Sequence, residues 1–155
     1  MPSKNSIDRK KVLRELPLFT GLASELLGEL TRGSRGATFQ RGEAIYRPGD
    51  PASEMYVLLS GQVKLALSSN RGNEKIIDVL EAGRSFGEAE LFGTRFYLAG
   101  AEAVKPTQLL CIAGENVRRI MTADPRVAER IIMALAHRQT QMEAELAASH
   151  FYSGS

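Results

Sequence analysis

The chain has 155 residues, of which 43% are hydrophobic and 25% are charged. This composition predicts one globular domain with a core of ordinary size and excludes a disordered or collagen-like chain. The net charge of +2 comes from scattered basic residues, so no nucleic-acid-binding face is indicated within this chain. The single cysteine, Cys111, and the lack of a signal sequence or membrane-length apolar stretch predict a cytoplasmic protein.

The first 34 residues are predicted to form a helical segment. A helical pattern covers residues 7–16, Pro17-Leu18-Phe19 interrupts it, and a second short helix is predicted for residues 23–32. This segment precedes the first residues with the alternating pattern of strands.

Residues 35–113 are predicted to form a β-roll, because short apolar segments are separated there by glycines at points of chain reversal. Met55, Val57 and Leu59 share one face of a strand, and after the turn at Ser60-Gly61 the next strand begins. A sandwich or a barrel gives the same periodicity, so alternation alone does not separate these folds. The predicted strands are 37–39, 44–46, 54–59, 62–68, 75–80, 97–103 and 107–112.

Residues 114–149 are predicted to form a short helix, 114–122, and then a long one. Asp124-Pro125 reads as an N-cap followed by proline at the first helical position, and no breaker follows before about residue 149. Apolar and small residues recur along this helix in alternating steps of four and three, which is heptad spacing. This seam consists of Ala128, Ile132, Leu135, Gln139, Met142, Leu146 and Ser149.

Two arrangements of the long helix are compatible with the seam. The helix either lies flat on its own domain or pairs with the same helix of a second subunit. Gln139 within the seam and the charged residues beside it, Arg138, Glu143 and Glu145, favour a homodimer. We expect the first half of the helix to pack on the roll and the second half to pair.

A candidate ligand cradle lies between two predicted strands, at the Phe86-Gly87-Glu88 segment, called the cassette below. Backbone N–H groups at the start of a short helix can hold an anion, and Glu88 can accept hydrogen bonds from hydroxyl groups such as those of a ribose. The competing interpretation is that Glu88 is a structural acid paired with an arginine.

The sequence resembles the effector domain of the Crp/Fnr family of bacterial transcription regulators over nearly its whole length. The matching pieces are Pro17-Leu18-Phe19, the stretch 42–61, Ser60-Gly61-Gln62-Val63-Lys64, the cassette and the long helix. The resemblance implies a mainly β fold with flanking helices, a double-stranded β-helix or jelly roll that carries a C-terminal dimerisation helix. It also implies that residues 150–155 begin a linker to a helix-turn-helix domain absent from this chain, through which alone DNA would be bound.

The residues Tyr97-Leu98 affect which effector the resemblance implies. Cyclic-nucleotide binders of this fold carry Arg-Ser or Arg-Thr after the cassette, and the arginine neutralises the cyclic phosphate. Here Tyr97-Leu98 takes that place, so cyclic AMP is not the expected effector unless Arg95 reaches inward from the loop. The iron–sulfur cluster of the oxygen-sensing branch needs about four thiolates, and Cys111 supplies one.

Two segments resemble the nitric-oxide-responsive regulators of denitrification more closely. They are Glu88-Ala89-Glu90-Leu91-Phe92 and Tyr97-Leu98-Ala99-Gly100-Ala101. Such regulators are thought to bind haem, which makes haem a candidate cofactor between the roll and the long helix. The available axial imidazoles are His137 and His150, of which His137 is the better placed; a polar flank residue is the competing role for His137.

Catalytic patterns are absent from the sequence. No histidine lies on a predicted strand, as a metal-dependent jelly-roll enzyme would need, and there is no phosphate-binding Lys-Ser or Lys-Thr loop, nucleophile elbow or zinc-ligand spacing. We therefore predict a non-enzymatic, metal-free sensor in which a small-molecule effector shifts the geometry of a dimer. The alternative is a cyclic-nucleotide-binding module that stands alone or belongs to a kinase or channel. The predicted ligand-binding residues are Phe86, Gly87, Glu88, Tyr97, Leu98, Leu135 and Gln139, with His137 as the possible haem ligand.

Overall fold

The computed structural model describes residues 8–153, with side chains described for residues 8–149. The predicted start of the first helix at residue 7, the end of the predicted linker at residues 154–155 and the imidazole of His150 lie outside the described part. The first helix, α1 (Arg9–Glu15), is capped by Asp8, whose carboxylate accepts the backbone N–H of Lys11 at 3.2 Å. A short 3-10 turn (Pro17–Phe19) and α2 (Ser24–Arg32) follow.

The strands form two four-stranded antiparallel sheets that face each other, which confirms the predicted jelly roll. One sheet has the order β1-β8-β3-β6 and the other β2-β7-β4-β5. Their bounds are β1 (Ser34–Phe39), β2 (Ala44–Tyr46), β3 (Glu54–Ser60), β4 (Gln62–Ser68), β5 (Glu74–Glu81), β6 (Ser85–Phe86), β7 (Gly100–Ala103) and β8 (Thr107–Ala113).

The turn between β3 and β4 depends on Gly61. Its φ of +100° lies in the left-handed region, and a Cβ there would come within 2.6 Å of the carbonyl oxygen of Pro106. A side chain at this position would therefore force the β3–β4 turn away from the loop that precedes β8.

The predicted strand 97–103 is wrong in its first three residues, because β7 begins only at Gly100. Tyr97 bonds instead to the preceding turn: its N–H donates to the carbonyl of Asp50 at 3.0 Å, and its own carbonyl accepts the N–H of Gly49 at 2.7 Å. These bonds turn the Tyr97 side chain into the roll, where it is 2% exposed.

The interior contains two apolar clusters. The first joins α1, α2 and the two helices that follow β8 to the outer face of the β3–β8 sheet, and Phe19, Leu30, Met55 and Ile112 are fully buried in it. The second fills the space between the two sheets and contains four aromatic side chains among its aliphatic residues. The ligand cradle predicted from the sequence lies at the edge of this second cluster, because Phe86 belongs to it.

The roll itself contains one short helix, α3 (Glu88–Phe92), between β6 and β7. Two longer helices follow the roll. They are α4 (Gly114–Ala123) and α5 (Pro125–Ser153), and Asp124 caps α5 by accepting the N–H of Arg126 at 3.1 Å, as the sequence predicts. α5 continues to Ser153 without a break at residue 150, where the linker is predicted to begin. Among the described helices, none has both the length and the apolar character that crossing a bilayer requires.

The first half of α5 packs on its own domain, as expected. Val127 and Ile131 are buried and Leu135 is half-buried against the helical cluster. The guanidinium of Arg130 donates to the carbonyls of Leu18 and Thr20, at 3.3 and 2.6 Å. These hydrogen bonds link α5 to the N-terminal segment. Every residue from 139 to 149 is exposed. The second half of α5 therefore extends beyond the roll.

Candidate functional site

The cassette is shaped by Gly87, which ends β6 and caps α3. Its φ is +91°, and a Cβ at this position would lie 3.2 Å from both the carbonyl oxygen of Glu54 and a ring carbon of Tyr56. Glycine thus allows the chain to turn sharply against β3. The turn places the next residue, Glu88, inside the molecule, where it is only 4% exposed.

Glu88 is an incompletely paired buried acid. One carboxylate oxygen, Oε1, lies 3.9 Å from Nη2 of Arg138 on α5, whereas Oε2 is buried without a hydrogen-bond partner among the described residues. Burial raises the pKa of Glu88 above its ordinary value; its own backbone N–H and Arg138 act in the opposite direction, and the charge of Glu90 raises it further. The interpretation of Glu88 as an arginine-paired acid accounts for one oxygen only.

An aromatic cluster adjoins Glu88 and occupies the space between the sheets. The ring of Tyr97 stacks on Tyr46 with a centroid distance of 3.6 Å, and Phe86 stacks on Tyr56 at 5.1 Å. The hydroxyl of Tyr97 donates to the carbonyl of Glu54 at 3.2 Å. Burial raises the pKa of Tyr46 and of Tyr97, so both remain neutral phenols at physiological pH. Tyr97 is therefore a core aromatic residue.

A second carboxylate, Glu90, lies close to the first. It is half-buried on α3, and its Oε2 is also buried without a hydrogen-bond partner among the described residues. Its charge contributes to the raised pKa of Glu88 and of Tyr46, and Arg138 acts on both groups in the opposite direction. Tyr46, Glu88, Glu90 and Arg138 thus converge at the edge of the roll that faces α5.

Sequence reasoning missed three of these four residues. Arg138 was assigned to the flank of the seam, although it follows the buried Ile131 by seven residues, which is two helical turns and places it on the packing face. Tyr46 was recognised only as part of a strand. Glu90 carries no sequence signal that separates it from an exposed helical acid, because its burial depends on tertiary packing.

The predicted ligand-binding residues are brought together only in part. Phe86, Gly87, Glu88 and Tyr97 meet at the cassette. The other three lie apart from the cassette in the single chain: Leu98 is exposed because Tyr97 takes the inward position, Leu135 packs in the helical cluster, and Gln139 is exposed and donates to Glu143 at 3.2 Å. Arg95 is also exposed, with a left-handed φ of +68°, and does not reach inward.

The surroundings of His137 do not fit a haem pocket. An axial histidine is normally enclosed by apolar side chains, whereas His137 is exposed on α5 and its neighbour Arg138 faces a carboxylate. The interface between the roll and α5 is polar where the haem was expected. Within residues 8–149, no group of three or more His, Cys, Asp or Glu side chains is arranged to hold a metal ion.

The raised pKa of Glu88 predicts a pH-dependent contribution to stability. The folded protein favours the protonated acid, so this contribution is greatest below the ordinary value of 4.5 and is lost as the pH rises through the folded-state pKa. Glu88→Gln removes the ionisation. We therefore expect the unfolding free energy of the wild type, minus that of the variant, to fall as the pH rises from 4.5 through the higher pKa of the folded state.

Urea unfolding at several pH values measures this difference. Glu115→Gln is the matched control, because Glu115 is an exposed acid in the first turn of α4. Parallel pH curves for the wild type and Glu88→Gln would show that Glu88 ionises as freely in the folded protein as in the unfolded chain.

Comparison with known proteins places this geometry in a family. The profile of the cyclic nucleotide-binding domain matches residues 37–124. The cyclic AMP receptor protein of Thermus thermophilus is 31% identical over 130 residues, which are 84% of this chain and 60% of that protein. The mouse cyclic nucleotide-gated channel alpha-4 is 28% identical over 120 residues, 74% of this chain and 20% of the channel.

A solved structure gives the same result for the fold. The sensor domain of the transcriptional regulator DNR from Pseudomonas aeruginosa superposes with a TM-score of 0.79 at 31% identity, covering 88% of this chain and 91% of that domain. The narrower likeness to nitric-oxide-responsive regulators has support from the DNR structures alone. The chain spans about 60% of the length of the first curated relatives it matches. It belongs to the cyclic nucleotide-binding domain family, and its matches confirm the resemblance to Crp/Fnr-type regulators.

Proposed function

We propose that this chain is the effector-sensing and dimerisation part of a transcription regulator, and that it binds a small molecule between the cassette and α5 without catalysing a reaction. The observation that carries the proposal is the buried carboxylate of Glu88, which has one oxygen without a partner among the described residues and the other 3.9 Å from a cation of α5.

A ligand at Glu88 would remove an energetic cost. A buried acceptor without a hydrogen bond costs about 1–3 kcal/mol, and more when the group is charged. A donor group of a ligand can supply the missing bond to Oε2. Because Tyr46 and the other aromatic side chains form the wall beside Glu88, the site offers an apolar surface next to a few polar groups, which is the usual character of a small-molecule site.

Glu88 and Arg138 provide a direct physical connection between that site and α5. They belong to different elements, α3 and α5, and their 3.9 Å separation exceeds hydrogen-bonding distance. A ligand that bonds to the Glu88 carboxylate competes with Arg138 or draws it closer. In either case the ligand binds one position of α5 better than another and shifts the population of positions in proportion to that difference in affinity.

Exposed apolar residues along α5 support dimerisation. Ile132, Met142 and Leu146 are large apolar seam residues and are 65%, 51% and 67% exposed in the single chain. Pairing with the same helix of a second copy would bury them. We propose a parallel two-fold dimer in which a change in α5 reaches a DNA-binding domain outside these residues.

Cyclic AMP is not the proposed effector. Tyr97, which takes the place of the phosphate-binding arginine in the resemblance, is buried and stacked on Tyr46, and Arg95 is exposed. Within residues 8–149, neither Tyr97 nor Arg95 therefore supplies the cation that would neutralise a cyclic phosphate. The alternative is a cyclic-nucleotide-binding module of a channel or kinase, which the similarity to a cyclic nucleotide-gated channel favours. Tight binding of cyclic AMP by a chain that stays monomeric would support that alternative.

Hydrogen exchange of α5 amides tests the coupling. Glu88→Gln should weaken the contact with Arg138 by about 0.5–1 kcal/mol, so amides near residue 138 should exchange roughly two to five times faster. Glu115→Gln should leave them unchanged. Equal exchange in the wild type and Glu88→Gln, together with micromolar binding of cyclic AMP in calorimetry, would contradict the proposed function.

A further inference from the structure

We infer that the small molecule bound at this site carries a cationic nitrogen, as an amine, amidine or guanidine, which is held between Glu88 and Glu90. The inference rests on the proposed function and specifies the chemistry of the effector. Cyclic nucleotides are anions, so this site would select the opposite charge from the ligand that gives the family its name.

The first argument is the number of acceptors without donors. Glu88 Oε2 and Glu90 Oε2 are both inaccessible to solvent, and neither has a hydrogen-bond partner among the described residues. Glu88 is also more than nine-tenths buried as a whole residue. Buried polar atoms in folded proteins are nearly always hydrogen-bonded. An ionised carboxylate oxygen accepts hydrogen bonds and cannot donate them, so a cationic donor between the two acids would supply the missing partner and favour their ionised form.

The second argument is the balance of charge. Two carboxylates face the site, and Arg138 is the cation in contact with one of them. Arg84 also acts on Glu88, but its guanidinium is largely in solvent and lies 3.7 Å from Asp78. An added anion would oppose ionisation of both acids in a partly desolvated place, whereas an added cation would favour their ionised form and pair with it.

The third argument concerns α3, whose first turn would hold an anion in a phosphate-binding site. The helix has only five residues, so its dipole gives little attraction for an anion. Glu88 and Glu90 are both in that first turn and add their own negative charges to it. Tyr46 cannot compensate, because it is a neutral phenol with a raised pKa. The segment that the sequence predicts to hold an anion therefore offers hydrogen-bond acceptors to a ligand that donates hydrogen bonds.

Calorimetry with simple probes tests this inference. Agmatine, which has an amine and a guanidine, is compared with cyclic AMP, inorganic phosphate and ribose at low ionic strength, because salt screens charges. We expect agmatine to bind the wild type more tightly than the other three probes. Glu90→Gln should weaken agmatine binding about tenfold, which corresponds to one lost charged contact. Glu115→Gln should bind agmatine as the wild type does.

The contrary outcomes distinguish two failures. If cyclic AMP or ribose binds more tightly than agmatine and Glu88→Gln abolishes that binding, the region around Glu88 is the effector site but its effector is not cationic. If no probe binds, or if agmatine binds equally to the wild type and Glu90→Gln, the inference is also wrong. If binding of every probe is unaffected by both Glu88→Gln and Glu90→Gln, the proposed site is wrong as well. Melting curves by circular dichroism confirm that each variant is folded.

Discussion

Tyr97→Ala is expected to lower the free energy of unfolding by about 3–5 kcal/mol, the loss typical of truncating a buried aromatic residue. The ring is 2% exposed and stacks on Tyr46, and its hydroxyl donates to the carbonyl of Glu54. Truncation would leave a cavity between the two sheets. Tyr97→Phe should cost about 1 kcal/mol, because only the hydrogen bond is lost. Chemical denaturation at neutral pH measures both values.

Phe96→Ala is the matched control for this prediction. Phe96 is the preceding residue, is also aromatic and is 44% exposed, so its truncation should cost much less than that of Tyr97. Equal losses at the two positions, or a larger loss at Phe96, would mean that the Tyr97 side chain does not stabilise the interior of the roll. The position that the phosphate-binding arginine takes in cyclic-nucleotide binders would then tolerate a different side chain in this protein.

Ile132→Asp is expected to raise the dissociation constant of the dimer about a hundredfold or more. Burying one such side chain contributes about 1.5–3 kcal/mol, and two-fold symmetry doubles the effect of each substitution. Because Ile132 is 65% exposed in the single chain, the fold of each subunit should be unchanged. Sedimentation equilibrium over a range of concentrations gives the constant, and circular dichroism checks the fold.

Met133→Asp provides a control on the same helix. Met133 is 63% exposed and apolar but lies outside the heptad seam. It should leave the dissociation constant within a few-fold of the wild-type value. If both substitutions weaken association equally, or neither does, pairing does not depend on the seam, and the account of α5 as the dimerisation helix fails.

The strands were predictable because their cause is local. Period-two alternation in 54–59 and 62–68, with Gly61 between them, follows from chain geometry alone, and β3 and β4 are found within one residue of those bounds. The strand predicted from residue 97 fails at its start for a non-local reason: Tyr97 bonds to the turn at residues 49–50. A pattern of apolar residues cannot show that a tyrosine leaves the sheet to stack on Tyr46.

Only the locally determined part of the site could be predicted from the sequence, for a similar reason. Glycine followed by an acid marks the cassette, because the left-handed turn at Gly87 is a local requirement. The pairing of Glu88 with Arg138 joins positions 50 residues apart and depends on how α5 lies on the roll. Val127 and Ile131 define a packing face adjacent to the seam, whereas heptad spacing identifies the seam alone. Two neighbouring faces of one helix give overlapping apolar patterns, which sequence spacing alone does not separate.

The central claim, that α5 pairs in parallel about a two-fold axis, is tested most directly by disulfide formation between copies. A cysteine at a seam position meets its own copy within the 4.4–6.8 Å Cα separation that a disulfide allows. Cys111 does not interfere, because it is buried and burial raises the pKa of its thiol to about 11. Gln139→Cys under mild oxidation should form a covalent dimer rapidly and nearly completely, whereas Gln141→Cys, exposed on α5 outside the seam, should not. Equal cross-linking at both positions, or none at residue 139, would contradict the account.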